Sequence, residues 1–265
     1  MEDFYNQYCM AGVTATVLKM MGLDAPADIH PSIEPLMNAF ENKIADRVFL
    51  YNPDAVALWL YQKYTNLFMP AISHSQVALP LLSVMPSVTP VCFASMYTGL
   101  MPEVHGIRKY EKPVLQVKTL FDYLLANGKK CAIVSTAGDS ISRIFLERAM
   151  DYFIFDTLEE VNEKAMQLIE EDQYDCIVVY NGNFDSRMHK TGPEAEEALQ
   201  ELADNNAVYA QFVQAIRENW KQHNTFYGFM PDHGCHAIDG DCGSHGLDMT
   251  EDMNIIHFYG FNEKQ

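Results

Sequence analysis

Five short, strongly apolar runs punctuate the chain: Arg47 to Asn52 (RVFLYN), Lys130 to Ser135 (KCAIVS), Cys176 to Tyr180 (CIVVY), Thr225 to Met230 (TFYGFM) and Asn254 to Tyr259 (NIIHFY). Runs of this length, rich in β-branched and aromatic residues and bounded by polar sequence, predict strands buried on both faces. Between them the spacing of apolar positions predicts helices over Ala55–Tyr64, Lys118–Asn127, Ser140–Ala149, Leu158–Glu171 and a long one over about Pro193–Gln222. Strand and helix alternate, which predicts an α/β fold with a mainly parallel sheet covered on both faces. Residues 1–45 read as a helical extension packed on that core. With no repeat, low-complexity tract or linker, residues 1–265 are expected to form a single domain.

From Tyr64 through Pro102 there is no Asp, Glu, Lys or Arg, yet Pro70, Pro80, Pro86 and Pro90 interrupt the stretch. Prolines at that density break a membrane helix, so a buried, irregular segment is expected instead. Eighteen basic residues against thirty-six acidic ones give a formal charge of −18, which repels nucleic acid and anionic membranes alike. The start, MEDFYNQYCMAG, lacks the basic opening and apolar core of a secretory signal, so a cytoplasmic location is expected. The six scattered cysteines read as reduced thiols rather than a disulfide framework.

In an open α/β sheet, ligands bind beyond the carboxyl ends of the strands, so the residues after each apolar run are where chemistry is sought. RVFLYN runs into Pro53-Asp54. CIVVY leads to Asp185 and, four positions on, His189. TFYGFM runs into Asp232-His233, and a glycine-rich turn then brings His245. Taken singly, Asp54 reads as a helix cap, Asp185 and His189 as a helical i, i+4 pair, and Asp232-His233 as a turn. Their convergence after separate strands is what points to function: three carboxylates and three imidazoles make the ligand set of a two-cation site, suited to Zn²⁺ or Mn²⁺. A structural zinc site built from Cys235, His236, Cys242 and His245 is a weaker alternative, since its cysteines are wider apart than in a finger knuckle. Arg108, Lys109, Arg143 and Arg187 lie near these segments and read first as solvated surface charges.

The charge-free stretch ends in SVTPVCFASMYTG, Ser87 to Gly99. Thr89-Pro90 reads as a helix N-cap followed by proline at the first helical position. Such a threonine places its Oγ where the helix dipole favours negative charge, and beside a bound cation it can react as an alkoxide.

SVTPVCFASMYTGLMPEVHGI resembles the nucleophile motif of the alkaline phosphatase superfamily, particularly its nucleotide pyrophosphatase/phosphodiesterase branch. FDSRMHKTGPEAEEAL resembles that family's Asp-x-x-x-His segment, and MPDHGCHAIDGDCGSHG its Asp-His-Gly and later His-Gly segments, with a short gap nearer to the phosphopentomutase branch. The resemblance implies a three-layer α/β/α sandwich and phosphoryl-transfer chemistry. It implies Thr89 as nucleophile, one cation on Asp185, His189 and His245, and a second on Asp54, Asp232, His233 and the Thr89 oxygen. Asp54 is preferred over Asn52 for the first motif because the ligand there is expected to be a carboxylate, with Ala55 standing in for a glycine. Cys92 occupies the place of an asparagine that meets substrate phosphate in the diesterase branch.

The expected activity is therefore hydrolysis of phosphate mono- or diesters with two divalent ions, Zn²⁺ ahead of Mn²⁺, on a small phosphorylated substrate. A phosphosugar mutase is the alternative enzyme, and a degenerate member that only binds metal or phosphate is the non-catalytic one.

Overall fold

The computed structural model describes residues 4–265, so the first three residues of the expected helical extension lie outside the described residues. The chain enters through α1 (Val13–Met20) and α2 (Glu34–Ala39) and reaches β1 (Arg47–Pro53). After α3 (Leu58–Lys63) and α4 (Met69–His74) come β2 (Val77–Leu82), α5 (Thr89–Thr98), α6 (Pro102–His105) and α7 (Leu120–Ala126). The middle contains β3 (Cys131–Thr136), α8 (Ser140–Ile144), β4 (Asp151–Phe155), α9 (Leu158–Glu171), β5 (Cys176–Asn181), α10 (Asn183–Thr191) and the long α11 (Glu196–Asn219). Last come β6 (Thr225–Phe229), the hairpin β7 (His236–Ile238) and β8 (Cys242–Ser244), α12 (Thr250–Met253) and β9 (Asn254–Asn262).

Seven strands form one sheet in the order β2-β9-β6-β1-β5-β3-β4. β1 lies at its centre, parallel to both β5 and β6, and only β9 runs against its neighbours. The central strands are apolar throughout because both of their faces are covered. Along β1, Val48 and Leu50 enter a core shared with α1, α2, α5, α7 and α8, whereas Phe49 and Tyr51 enter a second core shared with α3, α9, α10 and α11. β5 divides the same way, Val178 to one side and Val179 to the other. This alternation with a period of two, apolar on both faces, makes the expected three-layer α/β/α sandwich with its mainly parallel sheet.

α9 begins as expected at a capping box, Thr157 with Glu160, and buries Val161, Ala165, Leu168 and Ile169 on one stripe. Other expectations are corrected. The stretch expected to be irregular contains α4, β2 and α5; Pro70 and Pro90 sit in the first helical turns, where a missing N–H costs little. Pro80 is on β2, the outermost strand beside β9, where the sheet tolerates it. The helix expected over Ser140–Ala149 ends at Ile144, and Glu147 turns the chain in the left-handed region (φ 66°) toward β4, an edge strand the apolar runs did not announce. Among the described residues no helix is long and apolar enough to cross a membrane.

Candidate active site and metal centre

The parallel strands end at one edge of the sheet, and that edge gathers the predicted residues. The register pairs Asn52 with Tyr180 and Pro53 with Asn181, so Asp54 leaves β1 beside the end of β5. Asn52 itself points elsewhere: it accepts from Tyr97 (2.5 Å) and donates to the Met230 carbonyl (2.9 Å), which makes it a core residue. The next residue after Asp54, Ala55, has φ 64°, which explains why a small residue stands there and why α3 starts only at Leu58. An L-residue in that region costs about 1–2 kcal/mol, close to what its buried methyl and stiffer backbone return. Ala55→Gly is therefore expected to change stability by less than about 0.5 kcal/mol, whereas Ala57→Gly, equally buried at φ −72°, is expected to cost about 1–2 kcal/mol. Paired urea titrations check the contrast.

Two clusters of three form there: Asp54, Asp232 and His233, all buried, and Asp185, His189 and His245, which are closer to solvent. His233 Nε2 lies 3.3 Å from Asp54 Oδ1 and 3.4 Å from Asp232 Oδ2. In the outer cluster Asp185 Oδ1 is 3.3 Å from His189 Nε2 and 3.4 Å from His245 Nε2. The rings of His233 and His245 stack with centroids 4.0 Å apart, joining the clusters into one site. Thr89 is not the expected cap of α5 but its first residue, Val88 being the cap, and its Oγ1 lies 3.3 Å from both Asp54 Oδ2 and His233 Nε2.

These residues fit divalent cations by their hydrogen bonding. Each imidazole Nδ1 is 2.9 Å from a backbone carbonyl: Gly243 for His189, Gly234 for His233 and Ser87 for His245. A carbonyl can only accept, so Nδ1 carries the proton and Nε2 turns a lone pair inward, the arrangement found around metal-bound histidines. Asp54 Oδ1, Asp185 Oδ1 and Asp232 Oδ2 are buried without a hydrogen-bond donor, and the Nε2 atoms of His189 and His245 face each other at 3.1 Å. Lone pairs converging at such distances repel unless a positive charge, a proton or a cation, lies between them.

In the ion-free fold the crowded carboxylates and imidazoles shift one another's proton affinities. Burial and the Asp185 charge push Asp54 up to about 7, and burial and Asp54 raise Asp232 well above the ordinary carboxylate range. Burial acts to raise Asp185 too, but its contacts with His189 and His245 outweigh that and hold it low. His189 is raised by Asp185, while burial and the neighbouring His245 depress His233.

Glycines let the loops approach. A Cβ at Gly234 would lie 2.0 Å from the Glu251 carbonyl oxygen, and one at Gly243 would lie 2.5 Å from Met188 Sδ on α10. The sequence reading missed four supports. Tyr180 donates to Asp54 Oδ2, Ser83 Oγ donates to the Asp232 carbonyl (2.6 Å), Asp252 holds His236, and His257 Nε2 donates to the Pro231 carbonyl (2.7 Å). Tyr180 and His257 sit inside apolar strands and read simply as core.

Other expectations are corrected. Cys92 has no exposed surface; its thiol faces Ser83 Oγ (3.3 Å) and the Val84 carbonyl, so it packs behind the Asp232 loop rather than meeting substrate. The alternative zinc site does not assemble: Cys235 is buried, Cys242 faces the Lys190 and Gly240 carbonyls, and His236 and His245 are engaged elsewhere. As expected of surface charges, Arg108 donates to the Glu103 carbonyl, Lys109 pairs with Glu111 and Arg187 with Glu201, and Arg143 is exposed on α8.

His257 also sets an acid limit on the fold. Fully buried, with Nδ1 accepting from Tyr259 (2.7 Å), it is depressed by burial from 6.5 to about 3. The unfolded chain takes up this proton below pH 6.5 and the folded one does not, so stability falls as the pH drops through that window. The loss between pH 7 and 5 is about 2 kcal/mol. His257→Gln, which keeps one donor and one acceptor, is expected to flatten that part of the pH–stability curve measured in urea.

Residues 54–122 match the sequence profile of the family described as type I phosphodiesterase / nucleotide pyrophosphatase, a family of phosphoric ester hydrolases. No curated protein sequence matches the chain. Among solved structures the fold is similar to murine ectonucleotide pyrophosphatase / phosphodiesterase 5, with a TM-score of 0.58 and 14% identity over 73% of this chain and 58% of that one. The human protein of the same name gives 0.58 and 14% over 72% and 57%. An inactive threonine-to-alanine variant of the murine protein in complex with AMP gives 0.57 and 13% over 74% and 59%. The chain thus spans less than three-fifths of the length of these neighbours. Profile and fold point the same way as the motifs: residues 54–122 are similar to the type I phosphodiesterase / nucleotide pyrophosphatase family, and the fold is similar to that of ectonucleotide pyrophosphatase / phosphodiesterase 5.

Proposed function

We propose that this protein is a metal-dependent hydrolase of phosphate esters, acting through Thr89 and two divalent cations, Zn²⁺ ahead of Mn²⁺, and that diesters are its better substrates. The observation that carries the reading is the convergence of three donor-less buried carboxylate oxygens and three inward Nε2 lone pairs beside the Thr89 hydroxyl. Asp185, His189 and His245 would hold one ion, and Asp54, Asp232 and His233 the other. Ions bound there would supply Lewis-acid polarisation of the phosphoryl group and lower the proton affinity of the nucleophile.

Thr89 Oγ1 is the nucleophile in this reading: a Thr–O–P bond forms as the bond from phosphorus to the leaving alcohol breaks, and the alcohol departs with a proton. Water then cleaves phospho-threonine, restoring the hydroxyl and releasing the phosphate product. Burial at 3% exposure keeps bulk water from the hydroxyl, and α5 aims its N-terminus at the incoming charge.

Preference for diesters follows from charge. The site residues supply three carboxylates, three imidazoles and one hydroxyl. Two divalent ions against three aspartates leave about one net positive charge, which matches a monoanionic diester better than a dianionic monoester. The family description and the AMP complex of the murine neighbour support a small nucleotide-type substrate.

The test is elemental analysis together with turnover of bis(p-nitrophenyl) phosphate and p-nitrophenyl phosphate in Zn²⁺ or Mn²⁺. Two ions per chain with faster diester hydrolysis is expected. Two ions without any turnover would leave a binding protein, and no ions would remove the reading altogether.

A further inference from the structure

Asp252 lies on the short α12 and takes no direct part in either three-residue cluster. It is fully buried, yet its side chain is used at both oxygens: Oδ1 faces His236 Nδ1 at 2.7 Å and Oδ2 accepts from the Leu247 N–H at 2.9 Å. Its backbone carbonyl accepts from the Gly234 N–H at 2.7 Å. Gly234 directly follows His233, and Leu247 is two residues after His245. One residue therefore fastens both loops that carry the stacked histidines.

His236 completes the arrangement. It begins β7 and pairs in register with Ser244, the residue just before His245. The hairpin brings the chain back, but a three-residue hairpin with an exposed tip is marginal by itself and sets the loop position only loosely. The buried carboxylate supplies what the hairpin lacks, a fixed point shared by the segment after His233, the start of β7 and the segment after His245.

We propose that Asp252, acting with His236, is a positioning residue that fixes His233 and His245 relative to one another, and so sets how tightly both cation clusters bind their ions. The claim rests on the metal-site reading above and concerns ion affinity directly. Support that orients ligands from outside the coordination sphere is commonly worth 10–100-fold in metal affinity.

Zn²⁺ binding measured in competition with a chromophoric chelator tests this on the full chain, with the thermal midpoint of the ion-free protein recorded beside it. His236→Phe removes the donor to Asp252 and is expected to weaken Zn²⁺ binding 10–100-fold. His236→Asn, whose amide can donate from a similar position, is expected to restore it to within about threefold of wild type. Asp252→Asn is expected to resemble His236→Phe; should it fail to fold, the His236 pair still decides. Wild-type affinity in His236→Phe, or a lowered midpoint with unchanged affinity, overturns the proposal by reducing the contact to ordinary packing. Absence of Zn²⁺ binding in the wild type would instead defeat the metal-site reading itself, so the two failures are separable.

Discussion

Thr89→Ala is expected to lower the turnover of bis(p-nitrophenyl) phosphate by at least about 10³-fold while leaving ion content and fold unchanged. Removal of a covalent nucleophile is among the largest single-residue effects in enzymes, because the remaining groups can stabilise charge but cannot form the intermediate. The structural cost is small: Thr89 opens α5 without serving as its cap, and among the described residues its hydroxyl makes two 3.3 Å contacts, to Asp54 and His233. Thr89→Ser keeps a hydroxyl on the same carbon and is expected to stay within about tenfold of wild type. Initial rates with Zn²⁺ present, alongside ions per chain, make the comparison. If the alanine variant retains more than a tenth of the activity with full ion content, a water rather than Thr89 attacks phosphorus.

The effect is confined because Thr89 stands at the meeting of elements with separate structural reasons to exist. α5 is buried along its whole length and α9 and α11 cover the other face, so the sandwich does not depend on the site. The site depends on the sandwich: β1 and β5 pair parallel in a register that ends them side by side, and β6 ends next to β1. The candidate ligands from residue 54 to residue 245 meet because parallel strands share one carboxyl edge.

This is also why so much of the site was legible in the amino-acid sequence. Strands buried on both faces appear as unbroken apolar runs, and the polar residues that follow them mark the edge where side chains converge, as Asp54, Asp185, Asp232 and His233 do. Edge strands carry a weaker signal. β4 has an exposed Ile154 and a partly buried face, and β2 carries Pro80, so neither resembles a central strand. Helix limits shifted wherever a backbone conformation overrode the apolar period, as at Ala55 and Glu147, both in the left-handed region. The supports were the least legible. Tyr180 and His257 look like members of apolar strands, and Asp252 like the first-turn acid of a short helix; only the tertiary pairing shows that Asp54, Pro231 and the ligand loops depend on them. Cys92 illustrates the converse: the motif alone assigns it to substrate, whereas its buried thiol faces Ser83 Oγ and the Val84 carbonyl.

The conflict between stability and ion binding predicts an inversion at Asp232. This carboxylate has no exposed surface, one oxygen has no donor, and Asp54 lies close enough to raise it. Without cations, holding it ionised in the fold costs stability, and the cost grows as the pH rises through its elevated folded value. Asp232→Asn removes the charge at constant shape and leaves the amide able to donate where the carboxylate could not. In a strong chelator at pH 8 the variant is expected to be more stable than wild type by about 1–3 kcal/mol, a rise of roughly 2–12 °C at 2–4 °C per kcal/mol. Saturating Zn²⁺ reverses the order. An ion at a thousand times its dissociation constant contributes about 4 kcal/mol per site to the wild type, and the variant, deprived of a charged ligand, forgoes most of it at the Asp54–Asp232–His233 cluster. Scanning calorimetry of both proteins with chelator and with Zn²⁺ reads the crossing directly. An aspartate serving only the fold would make its asparagine variant the less stable protein under both conditions, whereas a metal ligand makes it the more stable one until the ion arrives.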